Sequence, residues 1–555
     1  MYHRLTKEEL LKLFTAASPE QRWVLDTETD GLDVLGHAAE HSAWWIGLSA
    51  LGTTHVLIIS IEEYESWGLS FWFERFHLVG HNLRFDLHAL NLVPLVPWQD
   101  TMVAAYFGHT TGKRSMDHFA RVYGWHNVET PEALKQGRIG EIPEAELFSY
   151  LENDCIVTSK MADRFQMGAC SLDYRVEQAA YAMETRGIRL MLNDYQEVEA
   201  LLNDLLDTNL ATLQEAGLKG NQDSPQQVAS WLVENGRKLP RTKTGLLSTS
   251  KLVLQKLADD GDELALAVIT YRKAAKLKSA FILPLPKLAQ DGILYSRINT
   301  TRTKTGRFSS DSPNLQQIPK RGPLGQALRN CLTSPTNDGI IACDFSQVEL
   351  RVAASFANEP VLLEAFEQGR CPHTEVAAKI AGKAVADVTP TERFKAKAVN
   401  FGILNGMGSK RLAIELKATK GTASRFLEDY KRNLPKLHAW MEGVWREAES
   451  FRVTRTVEGR TRIFTANEST RPAVSVRVQG SAAELMRHAL VAAEEAGLEP
   501  LLTVHDEILI GGATKERAGK LREVMVHAAN SAYTETFNNV TFEAKAGLGD
   551  TWGNA

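Results

Sequence analysis

The run LTVHDEILI, residues 502–510, reads as a buried β-strand yet carries His505, Asp506 and Glu507 in its middle. An unpaired buried carboxylate is so costly that a chain pairs it, neutralises it or coordinates a metal with it. A second apolar strand, IIACDFSQVELRVAA, is interrupted in the same way by Asp344, followed by Glu349 and Arg351. Two aspartates from separate strands of an antiparallel sheet could bridge two magnesium ions between a nucleoside triphosphate and an attacking hydroxyl. The ions would neutralise both acids and stabilise charge on the leaving pyrophosphate. Between these strands, in TERFKAKAVNFG, Arg393, Lys397 and Phe401 recur every four residues and share one helix face. Arginine can grip phosphate in fork geometry, lysine can act as a point charge and general acid, and phenylalanine can lie against sugar or base.

A second set of acids lies near the N-terminus. VLDTETDGL places Asp26 and Glu28 two apart, on one face of a strand. HNLRFDLHAL supplies Asp86, and YLENDC supplies Tyr150 and Asp154, four apart and stacked on one helix face. Together they could hold two divalent ions that activate a water against a phosphodiester, with Tyr150 positioning that water. Asp100, in WQDTMVAAY, is a further acid near this set. His81 and His88, seven apart with no Cys or acidic partner, do not make a zinc pair.

These residues need a scaffold of several parts. A chain of 555 residues is too long for one core and implies about three or four domains. Up to about residue 165, strand-like runs (RWVLDTETDGL, AWWIGLSA, HVLIIS) mix with helical stretches, the pattern of an α/β sheet domain. From about 175 to about 300 the apolar spacing is helical, broken by polar stretches around NQDSPQQ and RKLPRTKTG. Beyond 300, the β-like runs GIIACDFSQVELRVAA and LLTVHDEILI are interleaved with long helices. The opening MYHRLTKEELLKLF lacks a secretory signal's apolar segment, and no run is long enough to span a bilayer, so the expected compartment is the cytoplasm. Five scattered cysteines without a CxxC pair argue against a disulfide framework and a zinc site. The net charge of -5 hides an asymmetry: residues 1–170 hold 13 basic and 23 acidic residues, residues 271–480 hold 34 and 19. A basic middle fits a surface that tracks phosphates.

The two constellations carry a resemblance that extends over nearly the whole chain. The first three acidic segments resemble the exo I, exo II and exo III motifs of DEDDy-type 3'→5' proofreading exonucleases. DFSQVELR, RFKAKAVNFG and VHDE resemble motifs A, B and C of family A DNA polymerases, the bacterial polymerase I and phage replicative class. TKTGRFSSDSPNLQQIP resembles the family's signature before the palm, and TYRKAAKLKS its thumb. The resemblance implies a multidomain α/β and α+β fold, a ribonuclease-H-like exonuclease domain followed by a right-hand polymerase domain. The expected boundaries are 1–170 for the exonuclease, 171–300 for thumb and connecting helices, 301–360 for the first part of the palm, 361–435 for the fingers and 436–555 for the rest of the palm.

It further implies a DNA-directed DNA polymerase that adds dNTPs to a primer 3' end and proofreads. Asp344 and Asp506 would hold two Mg²⁺ ions, with Mn²⁺ an alternative, and Glu507 would lie nearby; Asp26, Glu28, Asp86 and Asp154 would hold two more. Glu349 would be the steric gate against ribonucleotides, and Gln347, in the same motif, a substrate contact. Arg393, Lys397 and His373 would meet the triphosphate, and Arg307, Arg471, Gln479 and His505 the primer end or minor groove. Phe401 implies discrimination against dideoxynucleotides. Two positions depart from the family pattern: Asn405 stands where a tyrosine is usual, and Ser475 where asparagine is frequent. Asparagine cannot stack, so altered fidelity or sugar discrimination is expected. The expected partners are primer-template DNA, dNTPs and a helicase or processivity factor, with no membrane, for a monomer. No 5' nuclease segment is expected, and the compact form suggests a phage-type replicative enzyme. A single-subunit RNA polymerase and a noncatalytic DNA-binding relative are the competing readings; Glu349 and the exonuclease motifs oppose the first, the two complete acid sets the second.

Overall fold

The computed structural model describes residues 2–31, 35, 43–165, 167–242, 244–416 and 418–555. A six-stranded sheet carries the N-terminal acids. Its strands are β1 (Tyr2–His3), β2 (Arg22–Thr29), β3 (Ala43–Ala50), β4 (Val56–Ser60), β5 (His77–Gly80) and β6 (Gln99–Asp100), in the spatial order β1-β4-β3-β2-β5-β6. β2 runs antiparallel to β3 and parallel to β5.

Alternate residues of β2 serve two cores, as the period of a strand requires. Trp23 and Leu25 join an aromatic cluster with Phe14, Phe73 and Phe76. Val24 faces the other way, onto Phe148, Leu151 and Cys155 of a long helix. By the same alternation Asp26 and Glu28 project toward that helix. The helices that matter here are α1 (Leu83–Ala89), α2 (Thr101–Gly108), α3 (Glu144–Arg164), which is the long one, and α4 (Ser171–Arg186). Gly47 sits opposite Asp26 on β3, and a Cβ there would lie 2.8 Å from Cys155 Sγ. The missing side chain lets α3 press against the sheet.

The middle of the chain is helical, as its spacing predicts. α5 (Leu192–Glu215) buries Tyr195, Val198, Leu202, Leu206 and Leu213 along one stripe and packs on α6 (Glu263–Leu277).

A four-stranded antiparallel sheet organises the second half. Its strands β7 (Ile340–Phe345), β8 (Pro500–Val504), β9 (Glu507–Gly511) and β10 (Ala544–Gly549) stand in the order β8-β9-β7-β10. Two expectations are corrected here. GIIACDFSQVELRVAA is strand only as far as Phe345; Gln347 turns the chain with φ of 50°, and α7 (Val348–Ala357) follows. α7 is enclosed on nearly every side, with Glu349, Arg351 and Ser355 buried along with its apolar residues, so its sequence gave no helical period to read. LTVHDEILI is likewise a hairpin rather than one strand: Val504 pairs with Glu507, and His505-Asp506 form the two-residue tip. His505 takes φ of 59°, a conformation usually left to glycine or asparagine in such turns. α8 (Pro372–Ala381), α9 (Pro390–Leu404) and α10 (Ala473–Glu495) lie between β7 and β8 in sequence. α9 starts sharply, with Pro390 in its first turn and a reciprocal cap between Thr389 and Glu392, and it packs against α7 and α10.

A buried charge network joins the two halves. Arg460, fully buried, bonds Asp173 of α4 at 2.8 Å and Glu484 of α10 at 2.9 Å. Arg487 adds a second bond to Asp173 at 2.6 Å, and Arg84 of α1 lies 3.4 Å from both Glu177 and Glu184 of α4. Arg460 also lies 5.2 Å from the ring centres of Tyr106 and Phe107, while the Tyr106 hydroxyl donates to the Thr303 carbonyl at 2.6 Å. Breaking a buried ion network from one side leaves uncompensated charge, at a cost of about 3–5 kcal/mol. Arg460→Met is therefore expected to lower the urea and thermal unfolding midpoints markedly, and the double variant with Glu484→Gln, which leaves Asp173 to pair with Arg487, to recover most of the loss; parent-like stability in the single variant would contradict this.

Candidate active sites

The N-terminal acids converge. Ligand oxygens of Asp26, Glu28 and Asp154 all lie within 4.8 Å of one another. The fourth acid is held differently. Asp86 Oδ1 accepts the Thr27 backbone N–H at 2.9 Å and the Thr27 hydroxyl at 2.7 Å, so it is clamped to the strand between Asp26 and Glu28. Burial and the neighbouring acids hold Asp26 and Glu28 well above the usual carboxylate range. Burial pushes Asp86 up to about 8 against the pull of the Thr27 hydrogen bonds, and Asp154 up to about 7. Three acids with oxygens this close are a donor set that fits a hard divalent cation. Tyr150 lines the same cavity of about 580 Å³ as Asp154, its hydroxyl 3.3 Å from Thr130 Oγ1.

Asp100 stands apart from the cluster. Its carboxylate accepts the backbone N–H groups of Asn82, Leu83, Met102 and Val103, so it fixes the starts of α1 and α2. His81 and His88 go to separate partners, Thr101 and Glu184, at 2.9 Å each. Sequence reasoning missed the basic wall of the cavity, Arg114, Arg297 and Arg302. The latter two come from the second half of the chain, where only the charge surplus pointed to them.

The second centre lies where β7 meets the hairpin. Asp344 pairs with Glu507 in the sheet register, and the Phe345 N–H donates to the Asp506 carbonyl at 3.0 Å. Asp344, Asp506 and Glu507 line one cleft of about 500 Å³. Burial raises the Asp506 carboxyl, Arg307 lowers it and Asp344 raises it again. Two acids that line one cleft and repel each other suit cation binding. Glu507 is engaged otherwise: one oxygen accepts Lys320 Nζ at 2.9 Å, the other the Trp552 indole N–H at 3.4 Å, with Arg329 3.8 Å away. Lys320 reaches on to Asp344 at 3.2 Å. No motif marked Lys320, Arg329 or Trp552.

Of the remaining candidates, His505 lines this cleft, and Glu349 and Arg307 interact electrostatically with Asp506. Buried Glu349 is ion-paired with Arg307; burial raises its carboxyl and Arg307 opposes the rise. Gln347, exposed, stands at the left-handed junction before α7. Arg393 and Phe401 are exposed and Lys397 half-buried on the open side of α9, whereas Ala396, Val399, Ile403 and Leu404 are buried. His373 is only 2% exposed: its Nδ1 lies 2.8 Å from the Asn400 amide, and burial together with Lys397 and Arg393 lowers its pKa to about 4. The two unusual positions meet. Asn405 Oδ1 accepts from Ser475 at 3.2 Å and from Gln479 at 2.6 Å, tying the end of α9 to α10. Arg471 and His505 are exposed at the surface.

Fold and centres together define an exonuclease-type domain followed by a polymerase-type domain. The profile of DNA polymerase family A matches residues 193–554, and a 3'-5' exonuclease profile matches residues 4–167. The chain belongs to DNA polymerase family A. It is 33% identical over 494 residues to the thermostable DNA polymerase I of Thermus aquaticus, covering 84% of this chain and 57% of that one. It is 28% identical over 608 residues to DNA polymerase I of Borreliella burgdorferi, covering 99% and 64%. The chain thus spans a little over half the length of the curated relatives it matches. Over its whole length it shares the fold of a solved structure, the POL domain of Pol1 from M. smegmatis in complex with DNA primer-template and dNTP, with a TM-score of 0.85 at 24% identity.

The N-terminal cluster makes stability depend on pH. Asp86 and Asp154 keep protons in the folded chain that the unfolded chain releases near pH 4, so in chelator the folded state loses ground as pH rises from about 4 to about 8. Asp154→Asn cannot ionise. Its melting-temperature advantage over the parent is expected to widen from about pH 5 to about pH 7 and then level off; a constant difference across that window would contradict the assignment.

Proposed function

We propose that the chain is a template-directed DNA polymerase with a 3'→5' proofreading exonuclease. The observation that carries the reading is the presence of two separate carboxylate centres, Asp26/Glu28/Asp154 and Asp344/Asp506, in a family A chain. We assign residues 1–170 to the exonuclease, 171–300 to thumb and connecting helices, 301–360 and 436–555 to the palm and 361–435 to the fingers. Asp344 and Asp506 would hold Mg²⁺, with Mn²⁺ an alternative; bound there, the ions supply charge neutralisation and a lower pKa for the attacking hydroxyl.

The chain's own side chains do the rest. Arg393 and Lys397 grip the triphosphate from the open side of α9, and Lys397 gives a proton to the departing pyrophosphate. Phe401 lies against the sugar. Glu349, held in place by Arg307, closes against the 2' carbon and excludes ribonucleotides. Arg307, Arg471, Gln479 and His505 touch the primer end or the minor groove, and Gln347 contacts substrate; His373, expected against the triphosphate but only 2% exposed, supports that site from behind Lys397 and Phe401 rather than touching it. In the other centre Tyr150 positions the water. Asp86, clamped by Thr27, completes the acid set. Primer-template DNA and dNTPs are the substrates, in line with what the similar POL domain binds. We assign a monomer in the cytoplasm; among the described residues no helix is long and apolar enough to cross a membrane. The named relatives are bacterial, so replication of the phage type, with a helicase or processivity partner, rests on the sequence resemblance alone.

Primer extension with matched and mismatched 3' ends, with dNTPs or rNTPs and Mg²⁺, tests the reading. Asp344→Ala is expected to cut extension about a thousandfold and spare degradation, and Asp26→Ala with Glu28→Ala to do the reverse. Loss of both activities in either variant, binding without any turnover, or preference for rNTPs would overturn it. At the two positions that set nucleotide choice, Phe401→Tyr is expected to weaken discrimination against dideoxynucleotides, and Asn405→Tyr, which also breaks the bonds to Ser475 and Gln479, to change misincorporation or ribonucleotide insertion. Unchanged ratios in competition assays would refute each.

A further inference from the structure

At the acid-rich end of the second sheet the most exposed of the neighbouring cations is Lys320. Lys320 lies on the segment between the β-hairpin of residues 297–311 and β7, and its side chain is 60% exposed. Its ammonium donates to Glu507 Oε1 at 2.9 Å and to Asp344 Oδ2 at 3.2 Å. Glu507 itself is 6% exposed and fixed from behind. Its Oε2 meets the Trp552 indole at 3.4 Å and Arg329 at 3.8 Å, and the Arg329 guanidinium is stacked 3.8 Å from the Trp552 ring centre. Glu507 is thus an anchored handle. It presents the lysine ammonium to Asp344, one of the two aspartates of the cleft.

On the palm reading above, we propose that Lys320 is a built-in competitor of the divalent cation. Its ammonium, anchored by Glu507, neutralises Asp344 and must leave that carboxylate before a metal ion can use both of its oxygens, so Lys320 sets the divalent-ion concentration the site requires. Glu507 then acts as the positioning residue for Lys320 rather than as a third metal ligand. A partly exposed ion pair is weak enough to be displaced and strong enough to be felt.

The test counts bound ions directly. In the full-length chain carrying Asp26→Ala and Glu28→Ala, which leaves the palm as the acid centre, Mn²⁺ binding is titrated by the paramagnetic resonance of free Mn²⁺. Lys320→Met is expected to tighten palm binding about fivefold, and Lys320→Arg, which keeps the charge, to stay near the parent. In a chain with intact exonuclease acids, Lys320→Met should also lower the Mg²⁺ concentration that half-saturates primer extension. Lys320→Gln, a second neutral variant, repeats the measurement. Unchanged Mn²⁺ affinity in both neutral variants, alongside loss of binding in Asp344→Asn, would overturn the role of Lys320 alone. Full binding retained in Asp344→Asn would overturn the cation-site reading itself, and the lysine proposal with it.

Discussion

The constraint behind this architecture is the repulsion between carboxylates held close together, largely buried at one centre and partly exposed at the other. Every large feature near the two centres either brings acids together or makes their proximity tolerable. At the first centre the approach is set by β2 and α3, with Gly47 letting the helix close on the sheet and the Thr27 clamp holding Asp86. Its acids answer by keeping protons, the response of carboxylates buried and crowded against one another. At the second centre the answer is different: Arg307, Lys320 and Arg329 stand among Glu349, Asp344, Asp506 and Glu507. One centre is tuned by protonation and the other by cations of the chain itself.

The two centres also share a frame. α4 presents Asp173, Glu177 and Glu184 to arginines from both halves, Arg84 on one side and Arg460 and Arg487 on the other. The basic wall of the N-terminal cavity comes partly from Arg297 and Arg302, more than a hundred residues beyond the sheet that bears its acids. A cavity built from two domains depends on how rigidly they are joined, and a buried network of charges gives few alternative arrangements because each would strand an ion.

Much of this was legible in the chain where chemistry and period agree. Asp26 and Glu28 two apart on a strand, and Arg393, Lys397 and Phe401 four apart on a helix, share faces as their spacing requires. The acid in the middle of LTVHDEILI was visible as an anomaly, but its resolution as a hairpin tip was not: no glycine or asparagine marks the turn, and His505 takes the left-handed conformation instead. Likewise α7 hid in its run because burial of polar and apolar residues alike erases the helical period. Lys320, Trp552 and the arginine wall escaped notice since their meaning lies in long-range contacts and not in local spacing. The pairing of Asn405 with Ser475 and Gln479 is of the same kind. Two separate departures from the family pattern become one polar contact between α9 and α10.

The most direct measurement is anomalous X-ray scattering from crystals of the intact chain soaked in Mn²⁺. The account predicts peaks at two places, one among Asp26, Glu28 and Asp154 and one between Asp344 and Asp506. Manganese bound at neither cluster would contradict it.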